Sequence, residues 1–234
     1  MSSERSNGAD GIWVVIPAYN ESEVIRLVVE GLLERGYTTV VVDDGSKVPL
    51  DDVLAGLGTH LLRHAINLGQ GGALQTGISY ALARGARVIV TFDADGQHQR
   101  DDIPALVAPV LSGEQDVALG SRFLEGGSAV QISASKRRVL KLAVAFTRWT
   151  TGLGVTDTHN GIRALGRKAA ASLRITQNGM AHASQILHQI AAQRLRYVEV
   201  PVKIVYTEYS VRKGQRLSNA FNILWESFSA NFYR

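Results

Sequence analysis

Asp93 and Asp95 are spaced i, i+2 at the end of the apolar run Val88-Ile89-Val90-Thr91-Phe92. Along an extended chain side chains alternate faces, so both carboxylates point the same way. Two carboxylates on one side repel each other unless a cation sits between them. Hard divalent cations such as Mg2+ and Mn2+ prefer such oxygen ligands. Asp and Gly are also ordinary turn formers where a strand exits into a loop. Taken by itself, Asp93-Ala94-Asp95-Gly96-Gln97-His98 reads as a metal site or as a turn.

The surrounding pattern supplies the elements that must position the pair. Apolar strands are expected at 12–16, 38–42, 60–66, 87–92 and 116–119. Helices are expected between them at 21–34, 72–84 and 103–111. Strands apolar throughout and separated by helices indicate an α/β fold, a mostly parallel central sheet covered on both faces. Farther on, 135–151 reads as a basic amphipathic helix, 181–194 as a helix and 197–205 as a strand. Leu217, Phe221, Leu224 and Phe228 form one stripe of a last helix.

Ligands of open α/β sheets bind at the carboxyl ends of the strands. Those ends here are Pro17-Ala18-Tyr19-Asn20-Glu21, Asp43-Asp44-Gly45-Ser46, Asn67-Leu68-Gly69-Gln70-Gly71-Gly72, Asp93 to His98, and Gly120-Ser121-Arg122. Opening on one edge, they form a shared site. A carboxylate of the second loop, Asp43 or Asp44, can accept from a base N–H or a ribose hydroxyl. Glycines of the third, Gly72 included, allow a ligand to approach the backbone. The fourth can hold a metal on a diphosphate, and Arg122 supplies a permanent positive charge. A dinucleotide fold would place Gly-x-Gly-x-x-Gly after the first strand, where this chain has Pro-Ala-Tyr-Asn-Glu, and a Walker A loop is missing.

Composition narrows the classes further. The 234 residues suit one domain with a sizeable core, and the absence of cysteine excludes disulfides, thiolate metal sites and Cys nucleophiles. Residues 1–10 are polar without an apolar stretch, which argues against a signal peptide and for a flexible segment. No apolar run reaches the roughly 18–20 residues that span a bilayer. The net charge of +4 concentrates in Lys136-Arg137-Arg138 with Lys141 and Arg148, and in Arg212-Lys213 with Arg216. No nucleic-acid motif or stacking platform accompanies these clusters, so no nucleic-acid partner is expected.

The ordered set resembles glycosyltransferase family 2 with the GT-A fold. Within it, the similarity is to the polyprenyl-phosphate branch of dolichol-phosphate mannose synthase-like enzymes. It continues from the strand ends through Asp157-Thr-His-Asn-Gly-Ile-Arg163 and Glu199-Val-Pro201. The resemblance implies one domain over 11–234, with a nucleotide-sugar-binding half at 11–123 and an acceptor-binding half at 124–234. It implies that Pro17, Ala18, Tyr19, Glu21 and Asp44 lie around the base and ribose. Asp93, Asp95 and Gln97 would coordinate Mg2+ or Mn2+. The acceptor would be a polyprenyl phosphate, held by Arg122 and Arg163 and then Arg137, Arg138 and Arg212, since Arg pairs bidentately with phosphate. Asp157 would serve as a base or as organiser of the phosphate site, or else as a cap or a salt-bridge partner of Arg163. The anomeric centre would be inverted.

Many members of the branch carry transmembrane helices that this sequence does not show. It is therefore expected to be cytoplasmic and peripheral at the membrane, through helix 135–151 or a membrane-protein partner. Transfer to a growing saccharide, or a non-catalytic role beside a membrane glycosyltransferase, are the competing expectations.

Overall fold

The computed structural model describes residues 10–129, 134–179, 181–205 and 209, with 129 and 134–141 described by backbone alone. The chain opens with strand β1 (Ile12–Ala18), helix α1 (Ile25–Leu33), strand β2 (Thr38–Asp43) and a short α2 (Asp51–Leu54). Strand β3 (His60–Arg63), helix α3 (Gln70–Ala83), strand β4 (Val88–Thr91), helix α4 (Ile103–Leu111) and strand β5 (Val117–Ser121) follow. The rest comprises β6 (Ser128–Ala129), α5 (Ala134–Thr151), β7 (Arg163–Gly166), α6 (Arg167–Ser172), α7 (His182–Ala192), β8 (Tyr197–Pro201) and β9 (Lys203–Ile204).

A seven-stranded sheet carries the order β3-β2-β1-β4-β7-β5-β8. Its pairings are parallel except at β7, which runs antiparallel to both β4 and β5. The central strands β1, β2 and β4 are mostly apolar because both faces are covered. Val14, Ile16, Val41, Val88 and Val90 pack on one face with Ile25, Leu32, Ile103 and Leu106 from α1 and α4. Trp13, Val15, Val40, Val42 and Ile89 pack on the other with Leu74, Ile78, Ile186 and Ile190 from α3 and α7.

The strand order reverses between β1 and β4, so their carboxyl ends flank the crevice where open α/β sheets bind ligands. The mostly parallel sheet agrees with the sequence reading, and the antiparallel β7 is an addition to it. Residues 197–205 divide into β8 and β9, with β9 leaving the main sheet to pair with β6. The helical stripe at 217–228 lies outside the described residues.

Candidate active site

Three strand-end loops are stitched together by side chains. Asn20, in a left-handed conformation, donates its backbone N–H to Ser46 Oγ and accepts from Lys47 N at 2.9 Å each. Buried Asp44 accepts from Leu68 N at 2.9 Å, Gly69 N at 2.7 Å and His64 Nδ1 at 2.7 Å. Both of its oxygens therefore shape the third loop. Asp43 accepts from Ser46 N through Oδ1, while among the described residues its buried Oδ2 finds no hydrogen-bond partner. Tyr19 stands 43% exposed beside these loops, whereas Ala18 is buried and contributes its carbonyl to Asp44 N.

At two glycines of the third loop, the close approach comes from the chain itself. A Cβ at Gly69, whose φ is +88°, would run into the Asn178 carbonyl oxygen, and one at Gly71 into that of Gln177. At Gly72 the nearest neighbour is Leu68 Cβ, at 3.1 Å from a Cβ built there.

The β4 exit holds the carboxylate pair. Asp93 accepts from His98 Nε2 at 2.8 Å and from Gln70 Nε2 at 3.0 Å. Burial alone would raise its pKa, but His98, His182 and Arg163 outweigh burial and hold it below the usual carboxylate range. Among the described residues Asp95 accepts a single hydrogen bond, from Gln97 N at 3.0 Å. Burial first, and the Asp93 charge second, push Asp95 up to about 6. The strain between these carboxylates is what a cation relieves. Among the described residues no cluster of three or more His, Cys, Asp or Glu forms a ready metal cage. An all-oxygen pair of this kind suits Mg2+ or Mn2+, which take one or two carboxylates and complete their shell with phosphate oxygens and water. A Cβ at Gly161 would overlap the Asp93 carboxylate, so the loop before β7 forms the floor under Asp93.

Because β7 is antiparallel, the loop preceding it emerges at the same edge as the ends of β4 and β5. There Arg122 Nε and Nη2 donate to Asp157 at 2.7 and 2.8 Å, and Arg122 N donates at 3.1 Å. Burial opposes ionisation of Asp157, but Arg122 more than compensates and holds it below the usual range. Asp157 thus pairs with Arg122 rather than with Arg163. Arg163 lies 3% exposed in β7, where burial lowers it to about 10. Its Nη1 finds no hydrogen-bond partner among the described residues. His159 and His182 are each lowered to about 4, chiefly by burial.

Gln97 enters through its backbone, its carbonyl accepting from Val205 N at 3.0 Å. Arg137 and Arg138 lie on α5, described by backbone alone, and Arg212 lies outside the described residues. Of the expected residues, Pro17 to Glu21, Asp43, Asp44, Asp93, Asp95, Arg122 and Asp157 share the strand-end edge. The sequence reading gave no role to Tyr209, whose hydroxyl donates to Glu21 Oε2 at 2.7 Å. It likewise gave no individual role to Gln70 and Glu199, quoted only within their motifs, and did not name His182, which lies near Asp93. Spacing alone does not give these residues their partners, because each reaches the site through tertiary packing.

Helix α5 buries Ala143 and Thr147 and turns Leu142 and Trp149 outward, Trp149 being 82% exposed. Among the described residues no helix is long and apolar enough to cross a membrane.

The sequence model described as Glycosyl transferase family 2 matches residues 13–173. A relative from Methanococcus voltae, UDP-N-acetylglucosamine–dolichyl-phosphate N-acetylglucosaminyltransferase, is 32% identical over 92% of this chain and 93% of its own. The polyprenol monophosphomannose synthase of Mycolicibacterium smegmatis is 30% identical over 86% of this chain and 79% of its own. Among solved structures, Mycobacterium tuberculosis glucosyl-3-phosphoglycerate synthase with Mn2+, UDP-glucose and phosphoglyceric acid matches with a TM-score of 0.70. That match has 19% identity and covers 98% of this chain and 85% of the other, a likeness of fold. The single α/β domain is of the GT-A kind.

Proposed function

Because the chain belongs to glycosyl transferase family 2 and is a glycosyltransferase, we propose that it moves a hexose-type sugar from a UDP- or GDP-linked donor to a polyprenyl phosphate, with inversion. The observation that carries this reading is the shared edge, where Asp93 and Asp95 lie at the β1/β4 crevice and the Arg122–Asp157 pair lies across β7. The two relatives named for lipid-phosphate acceptors support the acceptor class.

In this reading exposed Tyr19 offers a ring face to the base. Pro17, Ala18, Glu21, Asp43, Asp44 and Gly72 form the walls of the nucleoside site. Asp93 and Asp95, with Gln97 as a third ligand, hold Mg2+ or Mn2+. Bound there, the ion supplies Lewis-acid stabilisation of the departing nucleoside diphosphate. His98 and Gln70 hold Asp93 in place. The acceptor phosphate oxygen is already anionic, so the chain needs no strong general base. That oxygen attacks C1 in line, and the bond from C1 to the diphosphate oxygen breaks. Asp157 fixes the plane of Arg122 so that the guanidinium can hold the acceptor phosphate against the donor's negative charge. Arg137, Arg138, Arg163 and Arg212 add positive charge on the acceptor side.

The exposed Leu142 and Trp149, with Arg148 and the upstream Lys136, Arg137, Arg138 and Lys141, suit peripheral docking at the cytoplasmic membrane face. A membrane-protein partner covering the same helix would serve the same end. The test is a panel of UDP- and GDP-sugars with polyprenyl phosphate or a saccharide acceptor, each with and without a chelator. Chelator-sensitive transfer to the lipid phosphate is expected. Transfer to the saccharide alone, or no transfer with any donor, would overturn the reading.

A further inference from the structure

The residues 152–160 between α5 and β7 form no helix or strand, yet they place Asp157 accurately against Arg122. Arg148 of α5 holds the first part of this loop, its Nε donating to the Val155 carbonyl at 2.7 Å, and the edge strand β8 holds it through side chains rather than through its backbone ladder. Tyr197 and Glu199 are spaced i, i+2 and so share a face of β8. Tyr197 Oη accepts from Gly154 N at 2.7 Å. Glu199 accepts from Thr156 N at 2.7 Å through Oε1 and 2.9 Å through Oε2, and from Asp157 N at 3.1 Å. Thr156 in turn meets Ser121, its Oγ1 lying 2.6 Å from Ser121 Oγ, while Ser121 Oγ accepts from Phe123 N. The loops on either side of Arg122 and Asp157 are thereby joined, and Glu199 anchors the joint.

We propose that Glu199 is a positioning residue for the acceptor-phosphate site: by holding the Thr156 and Asp157 N–H groups, it sets the carboxylate that aims Arg122. The inference rests on the reading above, in which Arg122 meets that phosphate. The chemistry calls for a carboxylate. It presents acceptors only, to two adjacent backbone donors. A glutamine would turn an amide N–H towards a backbone N–H, and an aspartate would fall one methylene short. Tyr197 provides the control, since its hydroxyl holds the same loop at Gly154 without touching residues 156 and 157.

The experiment compares Glu199→Gln, Glu199→Asp and Tyr197→Phe with the wild type in two readouts. The first is the pair of KM values, for nucleotide sugar and for a short-chain polyprenyl phosphate. The second is the NMR signal of the Arg122 Nε–H, assigned by its loss in Arg122→Lys. Glu199→Gln is expected to raise the acceptor KM roughly ten-fold, the effect of losing about one charge-assisted hydrogen bond. The donor KM stays within about two-fold, and the Arg122 signal shifts. Glu199→Asp moves both in the same direction by less, and serves alone should Glu199→Gln not fold. Tyr197→Phe moves neither. An unshifted Arg122 signal with an unchanged acceptor KM overturns the inference, as does a parallel rise in both KM values. Should the wild type transfer no sugar to polyprenyl phosphate, the functional reading fails. The Arg122 signal then decides the positioning role by itself, a shift supporting it and no shift overturning it.

Discussion

Arg122 and Asp157 stand 35 positions apart and meet in a two-pronged ion pair, closed by a third bond from the Arg122 backbone to the same carboxylate. The Asp157 side chain is fully buried and that of Arg122 is 10% exposed. Removing one partner of such a pair strands the other charge, at a cost of about 3–5 kcal/mol. Asp157→Ala and Arg122→Met are each expected to lose stability on that scale. The double variant should lose clearly less than their sum. Urea denaturation of the four proteins checks this, and strictly additive losses would show that the two charges are not coupled.

Asp95→Asn removes the carboxylate that burial, and then the Asp93 charge, force up to about 6. Without metal, at pH 8, this variant should be more stable than the wild type by on the order of 1 kcal/mol. It should lose both chelator-sensitive turnover and the rise in melting temperature caused by Mn2+. A variant that keeps the Mn2+ shift would place the ion elsewhere.

The dependence on pH has two opposing parts. His159 and His182 are held near 4, below the ordinary 6.5, so the unfolded chain takes up their protons first. Their contribution is full above about 6.5 and falls as pH drops towards 4. Asp95, raised from 3.8 to about 6, takes up its proton in the folded state first, so stability rises as pH falls from about 6 towards 3.8. In the metal-free wild type the two partly cancel. Asp95→Asn should therefore show a steeper acid loss over that window, and His182→Asn a shallower one. Melting temperatures in chelator across the window decide it; identical slopes in all three proteins would mean that these groups do not govern it.

Gly161→Ala puts a methyl group where the Asp93 carboxylate lies. The expected result is a folded protein whose affinity for Mn2+ falls at least about ten-fold, since the ligand must turn aside. Calorimetric titration of Mn2+ with nucleotide measures it, and wild-type affinity would show that the loop can yield.

Leu142 and Trp149 are exposed on α5, where the Trp149 ring meets that of Phe146 at 6.1 Å between centroids. Leu142→Ser with Trp149→Ser should leave the melting temperature nearly unchanged. Binding to anionic vesicles should fall several-fold, with the remainder weakened by salt. Vesicle sedimentation tests this, and unchanged binding would move the contact to another surface.

Strands β1, β2 and β4 were legible because each is an apolar run ending in polar sequence. Strand β7 was not legible. Its four residues, Arg163 to Gly166, begin with a charge and are strand only because β4 and β5 pair with them on both sides. The same limit hid the partner of Asp157. Arg163 was near in sequence, but its place in a central strand buries it, and Arg122 arrives from β5. The glycines at 69 and 71 looked like room for a ligand, and the carbonyls of Gln177 and Asn178 occupy it.

The insertion of β7 between β4 and β5 also dictates an order of assembly. Residues up to about 123 bring β4 into register with β1, but its other edge waits for a strand made some seventy residues later. Until then β4 has an unpaired edge, and the carboxylates just beyond it lack the Gly161 floor and the Arg163 charge. A chain emerging from the ribosome would thus form the strand-end loops of β1 and β2 early and the full surroundings of Asp93 late. Non-local pairing of this kind is slow to form, and the N-terminal portion released alone would present β4 as a strand ready to pair with a neighbouring chain.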